Sequence, residues 1–277
     1  QLASATSTTV MNNKISQTSY GIYLTASSTG NTVSGNTVTA RSTGIYINSN
    51  NNAVHHNTIT NSDYGIYAYT CQIGPIYYNR LTNNSRGIRL YSTSPYSSSS
   101  TVSNNKATAF DWGIEMISSS GITFAGNWLE QNTWGVSMDT ASGSNTFYHN
   151  DFVGNTVKVI TSTNNKWSPN GQGNYWSDYT HRYPNAHEVD STGIWDTPYV
   201  IDATNQDNFP LMNPWNPPAD VTTPFTTDDY DNLWHTRDFS INLTAVDDLS
   251  GVKETYYIIN GGQLNNLSAN GQPYIAT

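Results

Sequence analysis

Apolar residues return along the chain at a nearly constant interval from Val10 onward. Val10, Val33, Val54, Ile76, Val102, Phe124 and Phe147 each stand three residues before an asparagine. Those asparagines are Asn13, Asn36, Asn57, Asn79, Asn105, Asn127 and Asn150, at intervals of 23, 21, 22, 26, 22 and 23. Two residues after them come Ile15, Val38, Ile59, Leu81, Ala107, Leu129 and Phe152. Eight residues after each of the first six stands a glycine: Gly21, Gly44, Gly65, Gly87, Gly113 and Gly135. This offset never varies, so all length variation falls between a glycine and the next asparagine. Fixed segments joined by one variable segment predict regular strands with a loop at one corner of each turn.

The alternation in Gly44-Ile45-Tyr46-Ile47 is that of a strand with one buried face, and no window carries a period of 3.6. A single turn cannot bury its own apolar face, but stacked turns close a continuous core. The pattern therefore predicts an all-β, right-handed parallel β-helix of about seven coils over residues 1–165. Its rungs would be spaced by roughly 4.8 Å. Both columns read as structural. Stacked asparagines can bond amide to amide and tolerate a left-handed corner, and the glycines are expected to serve similar bends.

The unit N-x-[IV]-x5-G-I-Y resembles the β-helix repeats of the NosD-like and pectate-lyase-like superfamily, common in archaeal and bacterial surface proteins. This resemblance implies a fold rather than an activity, since the scaffold hosts lyases, hydrolases, adhesins and inert fibres.

Beyond Asn165 the pattern breaks into two aromatic-rich segments, Gly173 to Tyr179 and Gly193 to Asp202, followed by Asp207, Phe209, Pro210 and Leu211. They resemble the segments that follow such repeats in NosD-like surface proteins. Residues 166–218 are expected to form an aromatic cap over the open end of the helix, with a Pro-rich linker. Asp190, Asp196 and Asp202 are weak candidates for calcium, which needs six to eight oxygen ligands; turn roles compete with that reading. Residues 219–277 resemble a bacterial-type immunoglobulin-like β-sandwich, with strands expected at 239–245 and 256–259. They are fewer than the roughly 100 residues of a complete sandwich.

Composition narrows the function. A net charge of -9 argues against nucleic acid, which calls for a basic footprint. No apolar run is long enough to cross a bilayer as a helix, so no membrane insertion is expected. Cys71 is the only cysteine, so an internal disulfide is impossible; burial and pairing between chains are the two readings. Sequons at Asn83, Asn242 and Asn266 are compatible with export and glycosylation.

Candidate chemistry is thin. The outward column two places after each glycine reads Tyr23, Tyr46, Tyr67, Arg89, Glu115 and Ser137. Glycoside hydrolysis needs two carboxylates about 5–9.5 Å apart. Glu115 has none in its column, because Asp111, Glu130, Asp139 and Asp151 fall elsewhere. The tyrosines Tyr23, Tyr46 and Tyr67 could stack on sugar rings or on one another. NosD-like proteins are associated with copper, but His56 and His149 share a column four rungs apart, roughly 19 Å, too far to share an ion. His181 and His187 lie in the cap without a cysteine or methionine cluster.

The expectation is an extracellular or cell-surface structural protein, not an enzyme and without a cofactor, that assembles with itself head to tail as a filament, sheath or layer. The alternative is a carbohydrate-active enzyme or glycan-binding adhesin. Residues 1–9, rich in Thr and Ser, are expected to lie extended and to be available to a neighbouring copy.

Overall fold

The computed structural model describes residues 1–108, 111–161 and 163–215, together with the backbone of four short strands beyond them. Among the described residues the chain is a right-handed β-solenoid of about eight turns with almost no helix. One parallel sheet of seven strands runs up one side, from Thr9–Met11 through Ala53–His55 to Thr146–Tyr148. Lys14–Leu24 and Thr37–Ile47 each bend through two further sides without a break. Above them the two sides separate. One continues as Thr58–Thr60, Arg80–Thr82, Lys106–Thr108, Trp128–Glu130, Asp151–Val153 and Tyr175–Trp176. The other continues as Tyr64–Tyr69, Arg86–Tyr91, Trp112–Ile117, Trp134–Met138 and Val157–Ile160.

Registers place like on like. Val10 faces Val33, then Val54, Ile76, Val102, Phe124 and Phe147 follow in one column. From Val33 upward these side chains are 0–1% exposed. Phe124 stacks on Phe147 and Phe147 on Trp167, with centroids 4.6 and 4.3 Å apart. Such offset ring pairs add to the burial of their area.

The asparagine column is a hydrogen-bonded ladder. Each Nδ2 donates to the Oδ1 of the asparagine one coil later at 2.9–3.0 Å, from Asn13 to Asn36 and on through Asn57, Asn79, Asn105, Asn127 and Asn150. The backbone N–H of each donates to the same oxygen at 3.0–3.1 Å. Asn57 Nδ2 also reaches the carbonyls of Val33 and His55, both at 2.9 Å, so its donors are satisfied. The left-handed corner belongs to the residue before: Asn12, Gly35, His56, Tyr78, Asn104, Gly126 and His149 all have φ between 51° and 65°. The asparagines are selected for their amides rather than for a bend.

The glycine column also differs from expectation. None of its members has a positive φ. A Cβ on Gly65 would lie 2.6 Å from the carbonyl oxygen of Gly87, and one on Gly87 would lie 2.5 Å from that of Gly113. The same clash recurs from Gly21 to Gly135. Close approach of successive backbones, not turning, demands glycine there.

Both ends differ from the expected boundaries. Leu2 bridges Leu24 and donates its N–H to Tyr23 O at 2.8 Å, while the Thr8 N–H reaches Asn31 Oδ1 at 2.9 Å. The N-terminal segment is thus paired along one edge with the next coil of its own chain. At the other end the ladder passes residue 165: Asn150 Nδ2 donates to Asn174 Oδ1 at 2.9 Å, and Phe152 pairs with Trp176. The first aromatic segment is therefore an additional rung. Asn174 then meets the buried carboxylate of Asp207, which accepts from Asn174 N at 2.7 Å, Trp176 Nε1 at 3.0 Å and Phe209 N at 3.0 Å. Trp176 and Tyr199, 1% and 2% exposed, stack at 4.1 Å and extend the core into the cap.

The chain divides into units at 1–217 and 218–277. In the second, Phe225–Asp228 pairs antiparallel with Leu243–Val246, and Thr255–Tyr257 with Asn265–Leu267. Expected strand residues 239–242 and 258–259, like most of the expected immunoglobulin-like domain, lie outside the described residues.

Replacing Asn79 with Leu leaves the Asn57 amide and N–H without their acceptor and should lower stability by about 1–3 kcal/mol. Gly87→Ala, which overpacks the neighbouring backbone, should cost about as much. Urea unfolding checks both, and midpoints equal to wild type would make the columns decorative.

Candidate functional site

The outer surface of the Tyr64–Tyr69 strand series is paved with rings. Two columns build it. Tyr23, Tyr46, Tyr67, Arg89, Glu115 and Ser137 follow one another in register. Beside them run Tyr20, Thr43, Tyr64, Arg86, Trp112 and Trp134. Tyr23 meets Tyr46 edge to face at 4.8 Å, and Tyr46 meets Tyr67 at 5.3 Å in the same manner. Tyr64 lies flat against Tyr67 at 5.0 Å. Trp112 and Trp134 stack at 4.8 Å. This herringbone leaves most of the rings half-buried, with one flank toward solvent. Burial pushes the Tyr67 hydroxyl up to about 12 and raises that of Tyr46, so both remain protonated donors at neutral pH.

An ion cluster divides the tyrosines from the tryptophans. Arg86 Nε donates to Glu115 Oε2 at 2.7 Å. Arg89 Nε lies 3.1 Å from the same oxygen, but without hydrogen-bond alignment. Arg89 Nη1 donates to the Tyr64 hydroxyl at 2.8 Å, and the Arg86 guanidinium sits 4.1 Å over Trp112. Two cations share one carboxylate, so the patch carries excess positive charge within an acidic chain. Glu115 is held by guanidinium partners, and no second carboxylate stands in its column.

Other candidate residues are dispersed. Asp196 Oδ1 accepts from His187 N and Thr197 Oγ1, while Asp202 Oδ1 accepts from the N–H groups of Thr204 and Asn205. Asp190 is an exposed turn residue. Among the described residues no three of His, Cys, Asp and Glu converge. His55 and His56 bring their Nδ1 atoms within 2.8 Å of each other on the seven-stranded side, away from the paved surface. Cys71 is buried, which pushes its thiol up to about 11 and leaves it a poor nucleophile at neutral pH. Asn83 is exposed, Asn242 lies outside the described residues, and Asn266 falls in a strand described by its backbone alone.

Arg86 and the tryptophans were missed because the alternation was followed only from each glycine forward. The signal lay one place before it, where Tyr20, Tyr64, Arg86, Trp112 and Trp134 recur.

A family model described as right handed beta helix region matches residues 1–157. Two curated relatives share shorter stretches. A probable ABC transporter binding protein NosD of Stutzerimonas stutzeri is 41% identical over 59 residues, 21% of this chain. A protein of the same description from Pseudomonas aeruginosa is 34% identical over 76 residues, 27% of this chain. The aligned stretches span only 14% and 17% of those relatives.

Glu115→Ala would leave two guanidinium groups side by side without their anion. Stability should fall by about 1–3 kcal/mol, as expected for a hydrogen bond to a charged group. Urea unfolding at low ionic strength measures it, and a change within error would make the cluster incidental.

Proposed function

The chain belongs to the right-handed β-helix family, and from that premise we propose that it is a non-catalytic, extracytoplasmic scaffold that holds an extended glycan against its paved surface. The observation that carries this reading is the unbroken run of Tyr23, Tyr46 and Tyr67 leading to Arg89 and Arg86. Ring faces suit the apolar faces of sugars, and tyrosine hydroxyls and guanidinium forks suit their hydroxyl and carboxylate groups. Rings repeat once per rung, roughly every 4.8 Å, a spacing close to that of successive sugars in an extended chain. Glu115 is paired with arginine and has no carboxylate counterpart, which supports binding without cleavage. The two relatives described as transporter binding proteins fit a binding role, and the low charge and buried thiol suit an exported protein.

Affinity electrophoresis through gels cast with soluble polysaccharides tests it. Wild type should be retarded by at least one, and Tyr46→Ala with Tyr67→Ala should weaken retention at least tenfold, about 1.4 kcal/mol. Retention unchanged in the double variant, or reducing ends released by the wild type, would overturn the reading.

Self-assembly is a second reading with its own observation. Among the described residues, Val157–Ile160 pairs along one edge only, with Trp134–Met138, and exposes Val157 and Ile160. An open apolar edge invites strand pairing. Light scattering should show association that Val157→Lys with Ile160→Lys abolishes; a strictly monomeric wild type at high concentration ends this reading.

A further inference from the structure

One buried acid lies outside the paved surface and serves neither the ladder nor the cap. Asp151 stands on the outer face of its strand, in the column of Thr58, Arg80, Lys106, Trp128 and Tyr175. Its neighbours in that column are half-buried or exposed, yet Asp151 is 1% exposed. The segment leading to the linker lies over it. The Trp215 N–H donates to Asp151 Oδ1 at 2.8 Å, and its indole lies flat on the His149 imidazole, centroids 3.5 Å apart and planes 6° apart. Trp215 is the last described residue before the Pro-rich stretch Asn216-Pro217-Pro218 that joins the two units.

We propose that Trp215, His149 and Asp151 form a pH-sensitive clasp that fastens the start of the linker to the β-helix and releases it as Asp151 ionises. The proposal stands apart from glycan binding, because none of the three residues belongs to the paved surface.

The direction follows from the surroundings of each group. Asp151 faces Trp128 on the preceding rung, Tyr175 on the following one and Trp215 above. The nearest acid on the preceding strand, Glu130, is occupied by Lys106 at 3.2 Å and Trp128 Nε1 at 3.1 Å. Burial pushes the Asp151 carboxyl up to about 7, and the Trp215 N–H offsets only part of that. Released into water, the acid would return to the ordinary carboxylate range. The closed clasp therefore holds the proton more tightly. The Asp151 contribution to closure is fully present at acidic pH and weakens roughly tenfold per pH unit as pH rises from about 4 toward 7. His149 acts in the opposite sense: burial lowers its pKa, so protonation at low pH opposes closure. The clasp should be tightest in mildly acidic solution.

Fluorine NMR of the full chain labelled with 5-fluorotryptophan tests this, with Trp215→Phe assigning the resonance. Between pH 4 and 8 the Trp215 signal should move toward its solvent-exposed position, with the change essentially complete by about pH 7. In Asp151→Asn it should stay at the closed position throughout. Proteolysis of wild type within residues 213–218 should accelerate over the same range, a readout that does not require the variant to fold. A Trp215 signal and cleavage rate independent of pH would overturn the clasp. So would a transition that survives in Asp151→Asn but vanishes in His149→Gln, which would assign the switch to the imidazole.

Discussion

One hydrogen bond, repeated, organises this molecule: the side-chain amide of an asparagine donating to the amide oxygen of the asparagine one coil later. An amide is suited to it because it carries donor and acceptor on one short side chain. In the dry interior each such bond is stronger than in water, and a chain of them polarises its members. The same oxygen also takes the backbone N–H of the preceding asparagine, so one atom closes two groups that would be costly to bury unpaired. The ladder runs in one direction and ends on a carboxylate, Asp207, a strong acceptor for the accumulated donors.

The glycine column makes this repetition possible. With successive backbones too close for a Cβ, rung spacing on that side is fixed by main chain alone. Side chains beyond it then fall into register without adjustment, and the outward columns become straight rows. The tyrosine, arginine and tryptophan paving follows from that constraint. Residues separated by a whole coil in sequence become contacts, as with Arg86 and Glu115. The protein needs no cleft to build a binding surface, because rows of outward side chains supply one.

The β-helix, its lanes and the tyrosine row were legible in the sequence because each depends on a residue type recurring at one offset. Whatever lacked such recurrence was harder to read. Asn174 follows Asn150 by 24 residues, within the range of the repeat, but its surroundings are aromatic and no column glycine follows it. It therefore read as cap. Leu2 makes a single bridge and carries no repeat signature. The purpose of the glycines was misread because a bend and a close approach call for the same residue, and only φ separates them. Shorter ladders, Asn31 to Asn52 and Asn132 to Asn155, have offsets of 21 and 23 but only one step each, too few to stand out. The Trp215, His149 and Asp151 grouping joins residues 64 positions apart through no pattern at all.

The one-way ladder has a bearing on how such a protein changes in length. Every interior coil offers an acceptor to the coil before it and a donor to the coil after it, so any coil is a legitimate neighbour for any other. Duplicating or deleting a coil between Asn36 and Asn150 leaves both junctions chemically complete, provided the cut falls at the same point of the repeat. Only the Asp207 stop is irreplaceable, because it closes the donors of Asn174 in place of a further asparagine. Evolution can therefore tune the height of the stack, and the extent of whatever it displays, by unequal recombination instead of by redesigning contacts.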